Sequence, residues 1–108
     1  MALTAIITGS TSGIGLGVAE AFAAQGMNVV LNGFGPEDEI ERTRVDLDGR
    51  SKSDVIYHGA DMTKPDEIED LITSTEARFG SVDILINNAG IQHVEEIENF
   101  PISKWTQL

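Results

Sequence analysis

The stretch ITGSTSGIGLG (7–17) contains four glycines and three consecutive hydroxyl side chains. Its spacing, Gly9-x-x-x-Gly13-x-Gly15, fits neither the common dinucleotide pattern G-x-G-x-x-G nor the Walker pattern, whose Lys it lacks. A glycine loop that follows a strand and opens a helix still lets backbone N–H groups approach a pyrophosphate. A tight turn packed between strand and helix explains the same spacing. The glycines alone therefore leave both interpretations open.

Short apolar runs alternate with helical patterns along the chain. The runs are rich in β-branched residues and bounded by Gly, Asn or Asp, which predicts strands at 4–8, 28–32, 54–58 and 83–87. Three of them are apolar almost throughout rather than alternating. We therefore expect strands buried on both faces, as in a parallel sheet covered by helices.

Three helices are predicted between these strands, over about 13–26, 37–47 and 63–80. Gly26 and Gly80 are placed to end the first and third, and we expect Gly17 to allow close packing inside the first. Thr63 is the predicted cap of the third helix, and Pro65 suits its first turn. The apolar positions predicted for the first and third helices are Ile14, Val18, Phe22, Ile68, Leu71, Ile72, Thr75 and Phe79.

This order, β-α-β-α-β-α-β, predicts an α/β protein with a Rossmann-like, doubly wound parallel sheet. Right-handed crossovers give the strand order 3-2-1-4, which corresponds to the N-terminal half of such a sheet. The winding reverses between the first and fourth strands. Ligands bind in the crevice at that point.

Composition excludes several classes of function. The 108 residues suffice for one domain, and a net charge of −11 with only seven Lys and Arg argues against nucleic acid as a partner. No apolar run approaches the roughly 20 residues of a membrane span. The absence of cysteine excludes disulfides and thiolate metal sites, which makes the cytoplasm the expected compartment. The acidic segment 36–41 is explained by negative charge at a helix N-terminus, so no metal site is predicted.

Two motifs together resemble the short-chain dehydrogenase/reductase family. They are TGSTSGIG (8–15), similar to the family's TGxxxGIG, and NNAG (87–90) at the end of the fourth strand. Three further segments resemble the bacterial D-3-hydroxybutyrate dehydrogenase group of that family more closely still. They are VVLNGFG (29–35), NNAGIQHV (87–94) and FPISKW (100–105). That resemblance implies an oxidoreductase that uses NAD to interconvert the small molecules 3-hydroxybutyrate and acetoacetate.

The resemblance also implies which residues hold the cofactor. Asp61 and Met62 would hold adenine, with the Asp61 carboxylate accepting from the exocyclic amine, although a turn-forming acid is the alternative. Asn87 instead is expected to tie neighbouring strands, and Gln92 to donate from its amide to the substrate carboxylate. The pyrophosphate, nicotinamide and riboses would contact the remaining residues, namely Gly9, Thr11, Ser12, Gly13, Ile14, Gly15, Asn88, Ala89 and Gly90.

The choice between NAD and NADP depends on the end of the second strand. Many NAD sites have an acid there, which accepts from the ribose 2′-hydroxyl, whereas this chain has Gly33. Neither the glycine loop nor the residues just after the strand offer an Arg or Lys for a 2′-phosphate, so NAD is favoured. Phe34 would lie against adenine or form a lid over the second helix. We expect Gly33→Asp to be tolerated with NAD and Phe34→Arg to shift preference towards NADP.

No catalytic residue is predicted within the chain. The family's reaction uses an Asn, Ser, Tyr and Lys, and all four would lie beyond Leu108. The single tyrosine, Tyr57, has Asp61 where the family's Lys would stand. Residues 1–108 are thus expected to form an NAD-binding domain truncated before the catalytic half, inactive alone, with the complete enzyme a homo-oligomer. Alternatives are a family member with another ketone or alcohol substrate, or a non-catalytic nucleotide-binding or interaction module.

Overall fold

Strands and helices alternate along the chain in the predicted order. The computed structural model describes residues 2–88. Each helix follows a strand directly, which is the pattern of a parallel sheet with crossover helices. The elements are β1 (Thr4–Thr8), α1 (Gly13–Ala24), β2 (Asn28–Leu31), α2 (Glu37–Arg50), β3 (Val55–Tyr57), α3 (Pro65–Phe79) and β4 (Ile84–Asn87).

The four strands form one parallel sheet in the order β3-β2-β1-β4, as predicted. In β1, Ile6 pairs with Val30 of β2 on one side and with Leu85 of β4 on the other. All five residues of β1 are buried, because the strand has a neighbour on each side and helices on each face. The carboxyl end of β1 therefore lies at the centre of the sheet edge, where the winding reverses.

Side chains of successive strand residues enter two separate cores, one on each face of the sheet. Ala5 and Ile7 of β1 pack in a core with residues from α1 and α2, including Ala19 and Leu47. Ile6 packs on the opposite face in a core that includes Leu71 of α3. The sheet is thus doubly wound, and the loops after its strands all open at one edge.

Several predicted boundaries are corrected by one to three residues. Helix α2 continues to Arg50 rather than ending near residue 47, and β2 ends at Leu31. Thr63 is not the cap of α3, because the N-cap is Lys64 and the Thr63 hydroxyl donates to Asp61 instead. The predicted helix ends at Gly26 and Gly80 are confirmed by their positive φ values of 83° and 91°.

The apolar face of α1 agrees with the prediction in part, because Val18 and Phe22 pack against the core whereas Ile14 does not. Small residues spaced four apart, Gly15, Ala19 and Ala23, are the buried ones, which lets the helix lie close to the sheet. Ile14 is 70% exposed and does not belong to that face. The expected close packing at Gly17 is wrong, because a Cβ there would meet no atom within 4 Å in the described part of the chain.

Membrane spans and metal clusters are both missing from residues 2–88. None of the three helices there is long and apolar enough to cross a bilayer. In the same range no three His, Asp or Glu side chains converge as metal ligands would. The acidic residues Glu37, Asp38 and Glu39 occupy the first turn of α2, where negative charge meets the positive end of the helix dipole.

Candidate functional site

The loop between β1 and α1 presents backbone N–H groups at the crevice. Gly9 and Gly13 have φ values of 60° and 61°, a left-handed conformation that other residues adopt with strain. Ser12 is the N-cap of α1 in extended conformation, and its side chain makes no capping hydrogen bond. The N–H groups of the first helical turn have no intrahelical acceptor. They therefore stay available to an anion at the positive end of the helix dipole.

Glycine occupies positions 13 and 15 of this loop for different structural reasons. A Cβ on buried Gly15 would overlap the carbonyl oxygen of Gly9 and come within 2.7 Å of Asn88 Nδ2, so helix and strand pack too tightly for any side chain. A Cβ on exposed Gly13 would meet nothing within 4 Å among the described residues. Gly15 thus serves the tight turn, and Gly13 leaves open space beside the uncapped helix end. The tight-turn interpretation is therefore confirmed at Gly15, and the pyrophosphate interpretation stays a prediction.

The end of β4 contacts this glycine loop directly. Asn88 Nδ2 donates to the carbonyl oxygen of Gly9 at 3.0 Å. Thr8 Oγ1 donates to Asn87 Oδ1 at 3.0 Å, which confirms that Asn87 ties neighbouring strands. The two sequence motifs therefore meet at the crevice between β1 and β4. The predicted site residues Ala89, Gly90 and Gln92 lie outside the described residues.

The turn after β2 is fixed against the glycine loop. Thr11 Oγ1 donates to the carbonyl oxygen of Phe34 at 3.2 Å. Gly33 has a φ of 149°, and a Cβ there would lie 2.7 Å from Thr11 Oγ1 and 3.2 Å from Thr11 Cγ2. The expectation that Gly33→Asp is tolerated is therefore wrong, because any side chain at this position is strained and collides with Thr11.

Tyr57, the last residue of β3, joins the loops after β2 and β3. Its hydroxyl donates to the carbonyl oxygen of Gly33, and a Cβ on Gly59 would lie 3.2 Å from the same hydroxyl. Burial of the ring, and then the negative charge of Glu37, raise the pKa of Tyr57 above its ordinary value. The phenol is therefore protonated at neutral pH and remains a donor. Tyr57 has a structural role at the site that the sequence did not predict.

A cleft of about 680 Å³ opens between α2 and β3, next to the turn after β2. Phe34 stands at its rim and is 73% exposed, so it is not a buried lid over α2. Glu37 and Glu41 contribute carboxylates to the lining. Arg44, the only basic residue among the lining residues described, is engaged by the Glu41 carboxylate and donates to the carbonyl oxygen of Val55 at 3.0 Å.

Asp61 forms a turn that leads into α3. Its Oδ1 accepts from the Thr63 N–H at 2.9 Å and from the Thr63 hydroxyl at 2.7 Å. The Thr63 hydroxyl lowers the pKa of the Asp61 carboxyl below its usual value, so the group is charged at neutral pH. Asp61 thus forms a turn, and both of these bonds use the same carboxylate oxygen, Oδ1. Met62 is half-buried against the core beneath α3, and the adenine contacts of both residues stay predictions.

Similarity to known proteins agrees with this geometry. A family model described as short chain dehydrogenase matches residues 3–108. This chain belongs to the short-chain dehydrogenase family. Within the family, the D-beta-hydroxybutyrate dehydrogenase of Rhizobium meliloti (strain 1021) is 53% identical over 108 residues, which cover all of this chain and 42% of that protein. The protein of the same name from Cupriavidus necator is 54% identical over 105 residues, covering 97% of this chain and 40% of the relative.

Solved structures of short-chain dehydrogenases share the fold. The L-sorbose reductase of Gluconobacter frateurii, in complex with NADPH and L-sorbose, matches with a TM-score of 0.73 and 34% identity. That match covers 81% of this chain and 33% of the reductase. The short-chain dehydrogenase chain described here thus spans about two-fifths of the length of its hydroxybutyrate dehydrogenase relatives and a third of this reductase.

Proposed function

We propose that these residues form the dinucleotide-binding part of an NAD-dependent dehydrogenase that interconverts 3-hydroxybutyrate and acetoacetate. The observation that carries the proposal is the uncapped N-terminus of α1, which opens onto the crevice beside Gly13. The residues fit a pyrophosphate, because donors and helix dipole point to open space while Gly15 keeps the backbone compact. Identity of 53–54% with two D-beta-hydroxybutyrate dehydrogenases supports the substrate.

In this proposal each loop at the sheet edge binds one part of the dinucleotide. The pyrophosphate and the nearby ribose and nicotinamide contact Gly9 to Gly15, with the hydroxyls of Thr11 and Ser12 beside them. Asp61 and Met62 hold adenine, and Phe34 lies against it. The adenosine ribose is bordered by the segment from Asn88 to Gly90. When bound, the nicotinamide accepts or supplies the hydride.

The preference for NAD over NADP follows from charge at the adenosine end. A 2′-phosphate would approach the cleft that carries the Glu37 and Glu41 carboxylates. The basic group described there, Arg44, already has a carboxylate and a carbonyl as partners. Leaving phosphate charge without a cationic partner in an acidic surrounding is unfavourable. Comparing NAD with NADP in the binding measurement tests this preference, since the L-sorbose reductase was solved with NADPH.

Substrate binding and proton transfer belong to residues beyond the described ones. Gln92 donates from its amide to the carboxylate of 3-hydroxybutyrate, which fixes the acid without adding charge. In this proposal residues 1–108 act as one NAD-binding domain, and the Ser, Tyr and Lys that would hold the substrate oxygen and move its proton are assigned to the part of the hydroxybutyrate dehydrogenase relatives that this chain does not span. The homo-oligomeric state of the complete enzyme and its cytoplasmic location stay predictions.

The proposal is tested by binding and turnover together. Calorimetry on the 108-residue chain is expected to show saturable NAD binding without NAD-dependent oxidation of 3-hydroxybutyrate. The complete protein is expected to catalyse that oxidation. Gln92→Ala should raise the KM for acetoacetate about tenfold, since about 1.4 kcal/mol is lost with one hydrogen bond to a charged group. Gln25→Ala, a change of the same type at the far end of α1, is the control.

Other outcomes would favour the alternative functions. Turnover of a sugar or another alcohol, with Gln92→Ala leaving acetoacetate kinetics unchanged, would indicate a different substrate within the family. A complete protein that binds NAD but turns over no alcohol would indicate a nucleotide-binding module. Absence of NAD binding with a defined oligomer would indicate an interaction role. Turnover by the 108-residue chain itself would contradict the assignment of the catalytic residues to a part of the relatives that this chain does not span.

A further inference from the structure

Asn32 lies directly after β2 with its side-chain amide inside the protein. The residue is 2% exposed. Its Nδ2 donates to the carbonyl oxygens of His58 at 3.0 Å and Ala60 at 2.9 Å, and its Oδ1 accepts a long hydrogen bond of 3.4 Å from the Gly9 N–H. Both amide protons and the amide oxygen thus have partners on other segments of the chain.

These contacts connect the three loops that follow β1, β2 and β3. Gly9 begins the glycine loop, and 58–60 precede the turn at Asp61. The backbone of Asn32 adds three bonds to Ser10 of the glycine loop: its carbonyl oxygen accepts from the Ser10 N–H at 2.6 Å and from the Ser10 hydroxyl at 3.3 Å, and its N–H donates to Ser10 Oγ at 3.0 Å. One residue therefore sets the separation between the phosphate side and the adenine side of the proposed site.

The chemistry of this position requires an amide. An aspartate would place a carboxylate, with no proton to donate, against the carbonyl oxygens of His58 and Ala60. A serine is too short to reach both carbonyls. Either change leaves buried carbonyl groups without a donor, and each such group costs about 1–3 kcal/mol.

We propose that Asn32 is a positioning residue for the dinucleotide. It holds the first-turn N–H groups of α1 and the segment 58–62 at the spacing that the bound ligand requires, so that little ordering is left for the binding step. This inference rests on the proposed function, because it assigns both loops to one ligand. Asn32 itself touches no reacting atom.

Asn28, the first residue of β2, offers a matched control. It stands at the opposite, amino end of β2, and its amide also joins two segments: Nδ2 donates to Thr4 Oγ1 at 3.4 Å, and Oδ1 accepts from the Asp54 N–H at 3.1 Å. Replacing it also removes side-chain hydrogen bonds between strands. It lies away from the loops of the proposed site, however, since all of these open at the carboxyl edge of the sheet.

The experiment compares Asn32→Ser and Asn32→Asp with Asn28→Ser and Asn28→Asp in the complete protein. The dissociation constant for NAD, the KM for NAD, kcat and urea stability are measured at a temperature where circular dichroism shows native secondary structure. We expect the Asn32 variants to bind NAD about tenfold more weakly or worse, because one or two of the hydrogen bonds that hold the loops in place are lost. We expect kcat to change less than about threefold. The Asn28 variants should lose stability while their NAD affinity stays within about twofold of the parent.

Each further outcome decides against the proposal in a distinguishable way. If Asn32 variants lose stability but keep the parent's NAD affinity, Asn32 is structural only and the proposed function stands. If NAD affinity falls equally in the Asn28 and Asn32 variants, the effect is general destabilisation and the proposal fails. If both Asn32 variants are unfolded while the Asn28 variants fold, Asn32 is a core residue and the proposal also fails. If the parent protein binds no dinucleotide, both the proposed function and this inference are overturned.

Discussion

Replacing Gly33 with alanine is expected to destabilise the turn after β2. A φ of 149° costs a residue with a side chain about 1–3 kcal/mol. The new Cβ would also lie 2.7 Å from Thr11 Oγ1, well inside contact distance, which adds about 1–2 kcal/mol as overpacking. Together these terms predict a loss of roughly 2–5 kcal/mol in the free energy of unfolding. Urea unfolding of the complete protein, followed by circular dichroism, measures the difference.

A double-mutant cycle separates the two terms for Gly33. Thr11→Ala removes Oγ1 and Cγ2, the two atoms nearest to the new Cβ, and leaves Thr11 Cβ at 3.4 Å, so in that background Gly33→Ala should cost only the backbone term, about 1–3 kcal/mol. Gly49→Ala is the control, because no atom of the described residues lies within 4 Å of its Cβ position and it sits in the last turn of α2. It should raise stability by up to about 1 kcal/mol.

Two results would refute this reasoning about Gly33. A loss below about 0.5 kcal/mol, the usual range of a surface substitution, would show that the turn accepts a side chain. Equal losses with and without the Thr11 side chain would show that no collision occurs there. The functional consequence is that Gly33→Asp, which installs the acid found at many NAD sites, should weaken binding of NAD and NADP alike rather than sharpen the preference.

Three further predictions concern the same edge of the sheet. Gly15→Ala forces a Cβ onto a backbone carbonyl and should lower the free energy of unfolding by roughly 2–4 kcal/mol in urea. Gly17→Ala is the control and should raise that free energy by up to about 1 kcal/mol. Equal effects of the two substitutions would contradict the packing of Gly15 against the Gly9 carbonyl. Phe34→Arg should raise the NADP-to-NAD ratio of kcat/KM about tenfold by supplying a cation, with Phe34→Gln as the uncharged control; an unchanged ratio would contradict it. Tyr57→Phe should raise the dissociation constant for NAD about threefold to tenfold by freeing Gly33. Because the raised pKa of Tyr57 keeps the phenol protonated, the contribution of its hydroxyl to NAD binding should be complete below the ordinary pKa of 10.0 and be lost only as pH rises through the higher pKa of the folded protein. A loss of NAD affinity between pH 7 and 9 that occurs in the parent and not in Tyr57→Phe would contradict this prediction.

The fold could be predicted because its signals are local. Apolar runs predicted the bounds of the four strands within one or two residues. The glycines at 26 and 80 predicted two helix ends, and the structure gives both of them positive φ values. The details that failed depend on which groups come into contact in the folded chain. Periodicity placed Ile14 with the core of α1, but small residues face the sheet there. The hydroxyl of Thr63 suits a cap, but the nearby carboxylate of Asp61 was a better partner.

The candidate site could be predicted only in part for the same reason. The glycines and the NNAG motif have recognisable spacing, and the structure brings Gly9 and Asn88 together. Asn32 and Tyr57 carry no such pattern, since their roles come from contacts 23 to 28 positions away in sequence. The one feature of the sequence that could have indicated a role for Asn32 is a polar amide placed directly after a buried apolar strand. The steric conflict at Gly33 could not be read from the sequence either, because it depends on where the Thr11 side chain lies.

The central place of β1 has a consequence for synthesis on the ribosome. β1 pairs with β4 through contacts such as that between Thr8 and Asn87, which are 79 positions apart. At about 5–20 residues per second, roughly 4–16 s pass between the synthesis of these two residues. During that interval one edge of β1, whose five residues are all buried in the folded protein, has no partner, and open strand edges invite pairing with other chains. The nascent protein is therefore most exposed to chaperones and to aggregation before β4 emerges.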